Sequence, residues 1–400
     1  MTTTVRTRVA IVGAGPAGLL LAHLLAASGI DSIVLERRRR DEIESTVRAG
    51  ILEHETVRVL SESGASGRVL TAGSRHDGIE LQFAGEGHRI DFAALTGRSV
   101  WLYPQHEALK DLIAARLADG QDLRFETAAV RVEGVDSDRP VVYATTGAGE
   151  GLQIEAEFVV GADGSRSVVR DAVSGSRNGY FREYPFAWLG ILCEAPPSAE
   201  ELIYSNSADG FALVSQRSPT VQRMYFQCDP DVDPHTLTEP EIWQILQRRV
   251  PGTALLEGPI VQRDVLRFRS FVARHLRRGR AVLVGDAAHT VPPTGAKGMN
   301  LAVADVVLLE RALRALLLEN DPRLVDAFAE TALTRIWKAQ HFSWWMTGML
   351  HRTVPAGTEG APDAADFDRL RQLAELRSVV ESQAGRAFLA EGYTGWPHEN

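Results

Sequence analysis

The sequence predicts an α/β fold in which a doubly wound parallel domain is interleaved with a mostly antiparallel β-sheet domain and a helical C-terminal region. Three observations predict it. An apolar, β-branched run at 8–13 passes through a glycine-rich turn into an apolar helix, as a buried parallel strand and its crossover should. Short β-rich runs separated by turns fill residues 180–270. Helical periodicity dominates from residue 298 onward.

Residues 8–36 have the pattern of a complete, Rossmann-like βαβ unit. Gly13, Gly15 and Gly18 fit G-x-G-x-x-G: the first glycine makes the tight turn, the second lets the backbone approach a pyrophosphate, and the third lets the helix pack on the strand. The helix N-terminus offers free N–H groups to phosphates. Glu36 ends the second strand, where a carboxylate can accept hydrogen bonds from a ribose. The unit therefore predicts a dinucleotide site.

The remaining elements follow from periodicity and turn residues. Helices are predicted near 105–118 and 239–249, short strands over roughly 76–98 and 123–160, and a loop over 355–366. The run RAVLVGDAAH indicates one more buried strand, which returns to the first domain after the antiparallel sheet.

This order of elements divides the chain into three parts. Residues 1–178 form the dinucleotide-binding domain, with an excursion at about 76–98 that joins the antiparallel sheet. Residues 179–272 form the antiparallel β domain, which we expect to bind the substrate. Residues 273–400 return to the first domain and add the helical region.

Length and composition bound the function. The chain has 400 residues and a net charge of −9, the opposite of the basic charge typical of a nucleic-acid binder. It has no run of 18 apolar residues that would predict a membrane span. Its two cysteines, Cys193 and Cys228, are too few for a disulfide framework or a four-cysteine zinc site. We expect a cytoplasmic protein with no metal, no nucleic-acid partner and no membrane contact.

Two later motifs distinguish FAD from NAD as the bound dinucleotide. Gly161-Ala-Asp163-Gly164 and Gly285-Asp286-Ala287-Ala288-His289 follow G-x-G-x-x-G in that order. They resemble the DG and GD motifs of the group A flavoprotein aromatic hydroxylase family. The resemblance implies a glutathione-reductase-type domain that binds FAD, with Asp163 at the cofactor and Asp286 on its ribityl chain. It extends through VRAGILE (47–53), EYPFAWLG (183–190), ELIYSN (201–206), GFALVSQRS (210–218), GDAAHTVPPTGAKGMNLA (285–302) and RIWKAQHFSWWMTGMLHR (335–352).

Those segments are most similar to family members that act on 4-hydroxybenzoate. The resemblance implies hydroxylation at C3 to 3,4-dihydroxybenzoate (protocatechuate), with O₂ and NADH or NADPH consumed through a flavin C4a-hydroperoxide, in a homodimer. The open alternative is the same chemistry on 4-aminobenzoate or a 3-substituted 4-hydroxybenzoate. A halogenase is disfavoured because the sequence lacks a WxWxIP-like motif. A flavin-binding protein without turnover is disfavoured by the residues described next.

Segment matching implies two groups of residues around the substrate. Arg217, Ser215 and Tyr225 match the residues that hold the substrate carboxylate, and a buried carboxylate needs such a charge-assisted partner. Tyr204, Tyr393 and His76 match a relay that removes the phenolic proton, for which histidine is suited because it titrates near neutral pH. Pro293 is expected to place a backbone carbonyl near the reacting hydroxyl, and Lys297 to give the pocket a positive potential.

Other matched positions are expected to contact the cofactors. The residues expected on the FAD side, besides the motifs above, are Arg48, Gln105, Met299 and Asn300. NAD(P)H is expected to dock transiently on a surface groove that includes Arg37, Arg38, Glu42, Arg166, Arg170 and Arg269. Arginines at 37–40 could clamp a 2′-phosphate, but Glu42 would repel it and Thr46 stands where a basic residue is common in the family. We therefore expect NADH to be used well.

Overall fold

Two eight-stranded sheets, a small third sheet and a C-terminal group of helices make up the described part of the protein. The computed structural model describes residues 2–46, 50–175, 178–352 and 362–397. Its strands are β1 (Thr2–Val12), β2 (Ser32–Leu35), β3 (Ile51–Leu52), β4 (Ser74–His76), β5 (Gly78–Phe83), β6 (Glu86–Asp91), β7 (Val100–Leu102), β8 (Leu123–Arg124), β9 (Thr127–Glu133), β10 (Val141–Thr146), β11 (Gly151–Gly161), β12 (Gly179–Cys193), β13 (Leu202–Ser207), β14 (Gly210–Ser218), β15 (Val221–Cys228), β16 (Ile260–Ala273), β17 (Arg277–Arg278), β18 (Ala281–Leu283) and β19 (His289–Thr290).

Helices cover the parallel sheet and form the C-terminal region. They are α1 (Pro16–Ala27), α2 (Arg40–Glu44), α3 (His54–Glu62), α4 (Arg68–Thr71), α5 (Phe92–Thr96), α6 (Gln105–Ala118), α7 (Val168–Val173), α8 (Glu239–Arg249), α9 (Lys297–Glu319), α10 (Arg323–Leu350), α11 (Pro362–Glu381) and α12 (Gln383–Thr394). Two short 3₁₀ turns span Gly164–Arg166 and Gly285–Ala287. No described helix is long and apolar enough to cross a membrane.

The first sheet is built around parallel strands. Its order is β17-β18-β11-β1-β2-β8, and β1 runs parallel to both β11 and β2. Val9, Ile11, Val34 and Val159 are fully buried, because helices cover both faces of the inner strands. This sheet and its helices confirm the predicted α/β fold.

The second sheet is mostly antiparallel and draws on two distant parts of the chain. Its order is β19-β16-β12-β15-β14-β13-β5-β6. Strands β5 and β6 come from residues 78–91, and β5 lies parallel to β13. The strands β12 and β16 run antiparallel over most of their length. The chain then re-enters the parallel sheet at β18, beside β11.

Two features of the fold differ from the sequence expectations. A third sheet, β3-β7-β4, was not predicted, because strands of two or three residues carry too little periodicity to be recognised. The predicted loop over 355–366 is shorter at its C-terminal end, since α11 begins at Pro362. The earlier part of that loop lies outside the described residues.

Candidate active site

The three glycines of the first turn have different surroundings. A Cβ on Gly13, whose φ is +106°, would lie 2.4 Å from the Ala162 carbonyl oxygen. One on Gly18 would lie 2.0 Å from the Gly13 oxygen, so these two glycines allow the backbone to pack. A Cβ on Gly15 would meet nothing within 4 Å. The open space at Gly15 adjoins the uncapped N-terminus of α1, where a phosphate would be stabilised.

Two carboxylates extend this dinucleotide site. Glu36 is buried at the end of β2 and accepts hydrogen bonds from the Ala14 N–H (3.2 Å) and the Arg38 N–H (3.0 Å). Asp163 accepts through Oδ2 from the Val168 N–H (2.7 Å), while its buried Oδ1 has no partner among the described residues. Burial raises the pKa of Asp163. A buried acceptor without a donor fits a ligand hydroxyl or amide at this position, so these residues fit a dinucleotide such as FAD.

The other residues predicted to contact the cofactor differ in exposure and in hydrogen-bond partners. Asp286 is exposed in its 3₁₀ turn, and Gln105 and Met299 are half-buried. The Asn300 amide does not point to free space: it accepts from the Glu53 N–H (2.9 Å) and donates to the Ile51 oxygen (3.0 Å). Its side chain therefore fastens β3 to α9, and the expected flavin contact stays a prediction. Arg48 lies outside the described residues.

Arg170 also has a different place from the one predicted. It is buried and donates to the Ala287 oxygen (3.1 Å) and the Ser165 oxygen (2.7 Å). Its guanidinium lies 4.8 Å from the centre of the Phe271 ring. Arg170 thus joins the DG loop to the GD loop inside the protein, which argues against the surface docking role. Arg166 and Arg269 are exposed, and Arg269 donates to the Ser165 hydroxyl (3.1 Å).

Three neighbouring strands place the predicted substrate residues on one face of the antiparallel sheet. Tyr204 on β13 pairs with Leu213 on β14, which pairs in turn with Tyr225 on β15. Directly paired residues point to the same side of a sheet, as do residues two apart on one strand. Ser215 therefore shares the face of Leu213. Strand register therefore places Tyr204, Ser215 and Tyr225 on one face of the sheet.

Arg217 is a cation without a matching carboxylate. Its Nη1 donates to the Gln216 oxygen (2.9 Å) and the Ser215 hydroxyl (3.3 Å), and its buried Nε has no partner. It makes no ion pair with any described carboxylate. Burial lowers the pKa of Arg217, and the neighbouring Tyr225 hydroxyl opposes that shift. Because a desolvated cation is unfavourable without a counter-charge, this position fits a ligand carboxylate.

A second arginine at this site was missed by the sequence analysis. Arg223 on β15 is buried and bonds both oxygens of Asp264, at 2.5 and 2.7 Å. Its guanidinium lies 4.8 Å from the centre of the Tyr225 ring. The signal in the sequence was a single cation inside the apolar run VQRMYF, a placement that requires a buried partner. Unlike Arg217, this arginine already has its counter-ion.

The two relay tyrosines meet directly. The Tyr204 and Tyr393 hydroxyl oxygens are 2.7 Å apart, and both side chains are about 1% exposed. Burial raises the pKa of Tyr204 to about 12, although the Tyr393 hydroxyl and the Gly295 N–H act in the opposite direction. Burial also raises the pKa of Tyr393. A proton can pass along the pair with both groups neutral when one enters at the Tyr204 oxygen as another leaves the Tyr393 oxygen.

His76 is near the tyrosine pair but does not bond to it. The Tyr393 ring stacks on Phe92 at 5.0 Å, and the Phe92 N–H donates to the oxygen of Asp77, the residue after His76. The His76 ring lies 3.1 Å from the amide nitrogen of Gln216. Its Nδ1 is buried with no partner in the described residues, and burial lowers its pKa. Gln216 was not among the predicted site residues.

Lys297 is paired rather than free. Its Nζ lies 2.6 Å from Glu53 Oε1 and donates to the Tyr393 oxygen at 3.2 Å. Burial lowers the pKa of Lys297, and Glu53 opposes that shift. The positive potential expected from Lys297 is therefore partly offset by a carboxylate that sequence reasoning missed. The Pro293 carbonyl closes a turn by accepting from the Ala296 N–H (3.0 Å).

The segment predicted to choose the nicotinamide donor is rich in local ion pairs. Arg38, Arg39 and Arg40 lie 3.1, 2.6 and 2.6 Å from carboxylate oxygens of Glu36, Asp41 and Glu44 respectively. Glu42 accepts from the Arg39 N–H (3.0 Å) and completes a capping box at the start of α2. Arg37 is exposed and makes no ion pair with a described residue.

Comparison with known proteins identifies the family of this chain. Residues 6–343 match the family described as the FAD binding domain. The p-hydroxybenzoate hydroxylase of Acinetobacter baylyi (strain ATCC 33305 / BD413 / ADP1) is 40% identical over 99% of this chain and 97% of its own length. The chain belongs to the FAD-binding family of flavoprotein aromatic hydroxylases. This membership confirms the predicted family and FAD as the cofactor.

More distant relatives show how widely the fold is used. The probable NADH-specific resorcinol 4-hydroxylase of Rhodococcus jostii (strain RHA1) is 27% identical over 80% of this chain and 61% of its own length. The crystal structure of p-nitrophenol 4-monooxygenase from Pseudomonas putida DLL-E4 superposes with a TM-score of 0.77 at 21% identity, over 98% of this chain and 99% of that one. The second likeness supports the fold of this flavoprotein hydroxylase.

The glycine turn yields a matched pair of variants. Gly18→Ala forces a Cβ against the Gly13 oxygen and is expected to lower the free energy of unfolding by about 1–3 kcal/mol. Gly15→Ala has room in the protein alone, so the stability of the FAD-free protein should be unchanged while FAD affinity falls. Thermal unfolding of FAD-free protein and FAD titration measure the two effects. Gly15→Ala that binds FAD as tightly as the parent protein contradicts the assignment of this space to the cofactor.

Proposed function

We propose that the protein hydroxylates 4-hydroxybenzoate at C3, consuming O₂, NAD(P)H and a proton and releasing 3,4-dihydroxybenzoate, water and NAD(P)⁺. The observation that carries this proposal is a site with an uncompensated cation at one end and a pair of buried phenols at the other. Arg217 supplies the cation, and Tyr204 with Tyr393 the phenols. A para-substituted benzoate carries complementary groups on opposite ends of one ring.

The carboxylate end orients the substrate. The Arg217 guanidinium has an unpartnered Nε, and a guanidinium binds a carboxylate through two parallel hydrogen bonds. The Ser215 hydroxyl and the Tyr225 side chain lie beside it. These groups hold the aromatic acid in one orientation, which fixes the direction of its para substituent.

The phenol end removes a proton. Tyr204 accepts the proton of the substrate hydroxyl while its own proton passes to Tyr393, and Tyr393 in turn releases its hydroxyl proton toward His76 and solvent, so both tyrosines end neutral. A phenolate is more electron-rich at the ring carbon beside the oxygen than a phenol is, so this transfer prepares C3. We assign to the Pro293 carbonyl an acceptor position near the same hydroxyl. Bound FAD supplies reduction by NAD(P)H and activation of O₂.

The tyrosine pair favours a phenol over the alternative amino compound. An aniline is electron-rich without losing a proton, so a buried proton relay has no purpose for 4-aminobenzoate. The relay does not discriminate against a substituent at C3 of a 4-hydroxybenzoate. Comparison of 4-hydroxybenzoate with 4-aminobenzoate under identical conditions separates these substrates.

NADH is the donor that the segment 37–42 favours. Carboxylates already neutralise Arg38, Arg39 and Arg40, and Glu42 adds a negative charge where a 2′-phosphate would dock. We place Arg37, Arg166 and Arg269 in the docking groove because they are exposed.

A homodimer in the cytoplasm is the assembly that we favour. Exposed apolar side chains on three helices of the C-terminal region support self-association: they are Trp337, Trp344, Phe367, Leu370 and Phe388. The mass of the protein in solution tests this assembly.

Replacing Arg217 tests the carboxylate site. Arg217→Ala should weaken binding of 4-hydroxybenzoate about 100-fold, since removal of a charge-assisted pair is worth about 2–3 kcal/mol. Arg217→Lys should recover part of the loss, because an ammonium offers charge without the two-pronged geometry. Calorimetric titration measures both, with phenol as the control ligand that lacks a carboxylate. Equal affinity of the Ala variant and the parent for 4-hydroxybenzoate would remove Arg217 from the site.

Replacing Tyr204 tests the proton relay. Tyr204→Phe should bind 4-hydroxybenzoate within a few-fold of the parent protein, because the carboxylate contacts remain. It should oxidise NADH mainly to form hydrogen peroxide, because the substrate stays a neutral phenol. Product and peroxide are quantified against NADH consumed. A variant that converts all its NADH oxidation into hydroxylated product rules the relay out.

Kinetics with the two donors test the assignment of Glu42. The parent protein should use NADH at least as well as NADPH, and Glu42→Gln should raise kcat/KM for NADPH about three- to tenfold, because one repulsive charge near a solvated phosphate is removed while the helix cap keeps its acceptor oxygen. Glu62→Gln, on the exposed part of α3, is the control for a lost surface charge. A hundredfold preference of the parent for NADPH would overturn the donor assignment.

A further inference from the structure

One buried carboxylate on α9 holds both ends of the GD loop, residues 285–289. The Asp305 side chain is buried, and its Oδ2 accepts from the Gly285 N–H at 2.9 Å. The same oxygen lies 2.6 Å from Nε2 of His289, which is also buried. Because Gly285 begins the loop and His289 ends it, a single oxygen atom joins the two ends.

The GD loop lies against the glycine turn of the dinucleotide site. A Cβ on Gly285 would lie 3.4 Å from the Cβ of Ala17, in the first turn of α1, and 3.3 Å from that of Ala302 on α9. Asp286 follows Gly285 and is exposed. The side chain expected to contact the ribityl chain of FAD is thus carried by a loop that packs against α1 and is held at both ends.

We propose that Asp305 is a positioning residue that holds the GD loop in the shape in which Asp286 binds FAD, with His289 as the second anchor of that loop. Neither Asp305 nor His289 was among the predicted cofactor residues. The inference rests on the predicted contact of Asp286 with the ribityl chain, and it concerns binding of the cofactor rather than of the aromatic substrate.

The two anchors form a charged pair. Burial lowers the pKa of His289, but Asp305, Asp286 and the carbonyl of His289 itself raise it by more, so the net shift is upward and favours the imidazolium. A buried carboxylate is costly unless its hydrogen bonds are satisfied. Asp305 keeps both of its bonds only while Gly285 and His289 stay in place, so the pair opposes any change in the shape of the loop.

Other contacts of the loop do not replace this carboxylate. Arg170 bonds the Ala287 carbonyl oxygen at 3.1 Å, and His289 pairs through its backbone with Val272 on β16. These contacts hold the middle and the end of the loop. Loss of the Asp305 carboxylate would leave the N–H at the start of the loop and the imidazolium at its end without the acceptor that they share.

Two variants of Asp305 and a matched control test this inference. Asp305→Ala removes the acceptor and should raise the Kd for FAD at least about tenfold. Asp305→Asn keeps an acceptor oxygen for both donors, so its Kd should rise less than about threefold. Glu310→Ala, farther along α9, is the control: its carboxylate bonds the Ser28 hydroxyl at 2.8 Å, away from the loop, and its Kd should equal that of the parent.

A double variant with Asp286→Ala separates positioning from general damage. If Asp305 acts through Asp286, Asp305→Ala adds little further loss of FAD affinity to Asp286→Ala. Dilution of the FAD-loaded proteins, followed by the fluorescence of released flavin, measures Kd without turnover. An unchanged Kd in Asp305→Ala, a loss in Asp305→Asn as large as in Asp305→Ala, or additive losses in the double variant overturn the inference.

The outcomes distinguish this inference from the proposed function. A parent protein that does not hydroxylate 4-hydroxybenzoate refutes the proposed function and leaves the FAD measurements unaffected. A parent protein that does so, with Asp305→Ala retaining FAD equally well, refutes only the role of Asp305. Asp286→Ala that binds FAD as tightly as the parent refutes the ribityl contact and the inference with it. Thermal midpoints verify folding, and Asp305→Ser, whose shorter side chain cannot reach both donors, carries the test if Asp305→Ala does not fold.

Discussion

The counter-charge that Arg217 lacks is the constraint on which the site depends. Two other buried cations have carboxylate partners, Asp264 for Arg223 and Glu53 for Lys297, whereas Arg170 has two carbonyls in place of a counter-charge. Arg217 has only a neighbouring carbonyl and hydroxyl. A desolvated guanidinium without a counter-charge favours an anionic ligand. The protein can therefore bind an anion at this position although its net charge is −9.

The substrate orientation that we propose depends on sheet register. Tyr204, Leu213 and Tyr225 stand in one row across three strands, and Ser215 is two residues further along the same face. Slipping any of these strands by one residue would turn its side chains to the other face. The distance between the carboxylate and phenol ends is thus set by backbone hydrogen bonds, which are stiffer than a loop. Tyr204 and Ser215 cannot move apart without disrupting the sheet.

The sequence predicted features that depend on neighbouring residues, but it did not predict hydrogen-bond partners that are distant along the chain. The glycine turn and the helices at 105–118 and 239–249 follow from residues within a few positions of one another. The partners of Lys297, Asn300 and Arg170 lie 96 or more residues away, except for the Ala296 and Ser165 carbonyls. The identity of these distant partners depends on how the two sheets pack, and the periodicity of the sequence does not indicate it. The contact of His76 with Gln216 spans 140 residues and was missed for the same reason.

Arg170 shows why the two sheets must be built together. The chain leaves the parallel sheet after β11, forms the antiparallel sheet, and returns at β18 beside the strand it left. At that return, Arg170 from the first passage bonds the Ala287 carbonyl of the second, and its guanidinium lies over Phe271 of β16. One side chain thereby sets the DG and GD loops against each other and against the antiparallel sheet. The predicted cofactor residues Asp163 and Asp286 lie on these two loops, so their relative position depends on contacts with the antiparallel sheet as well as with the parallel sheet.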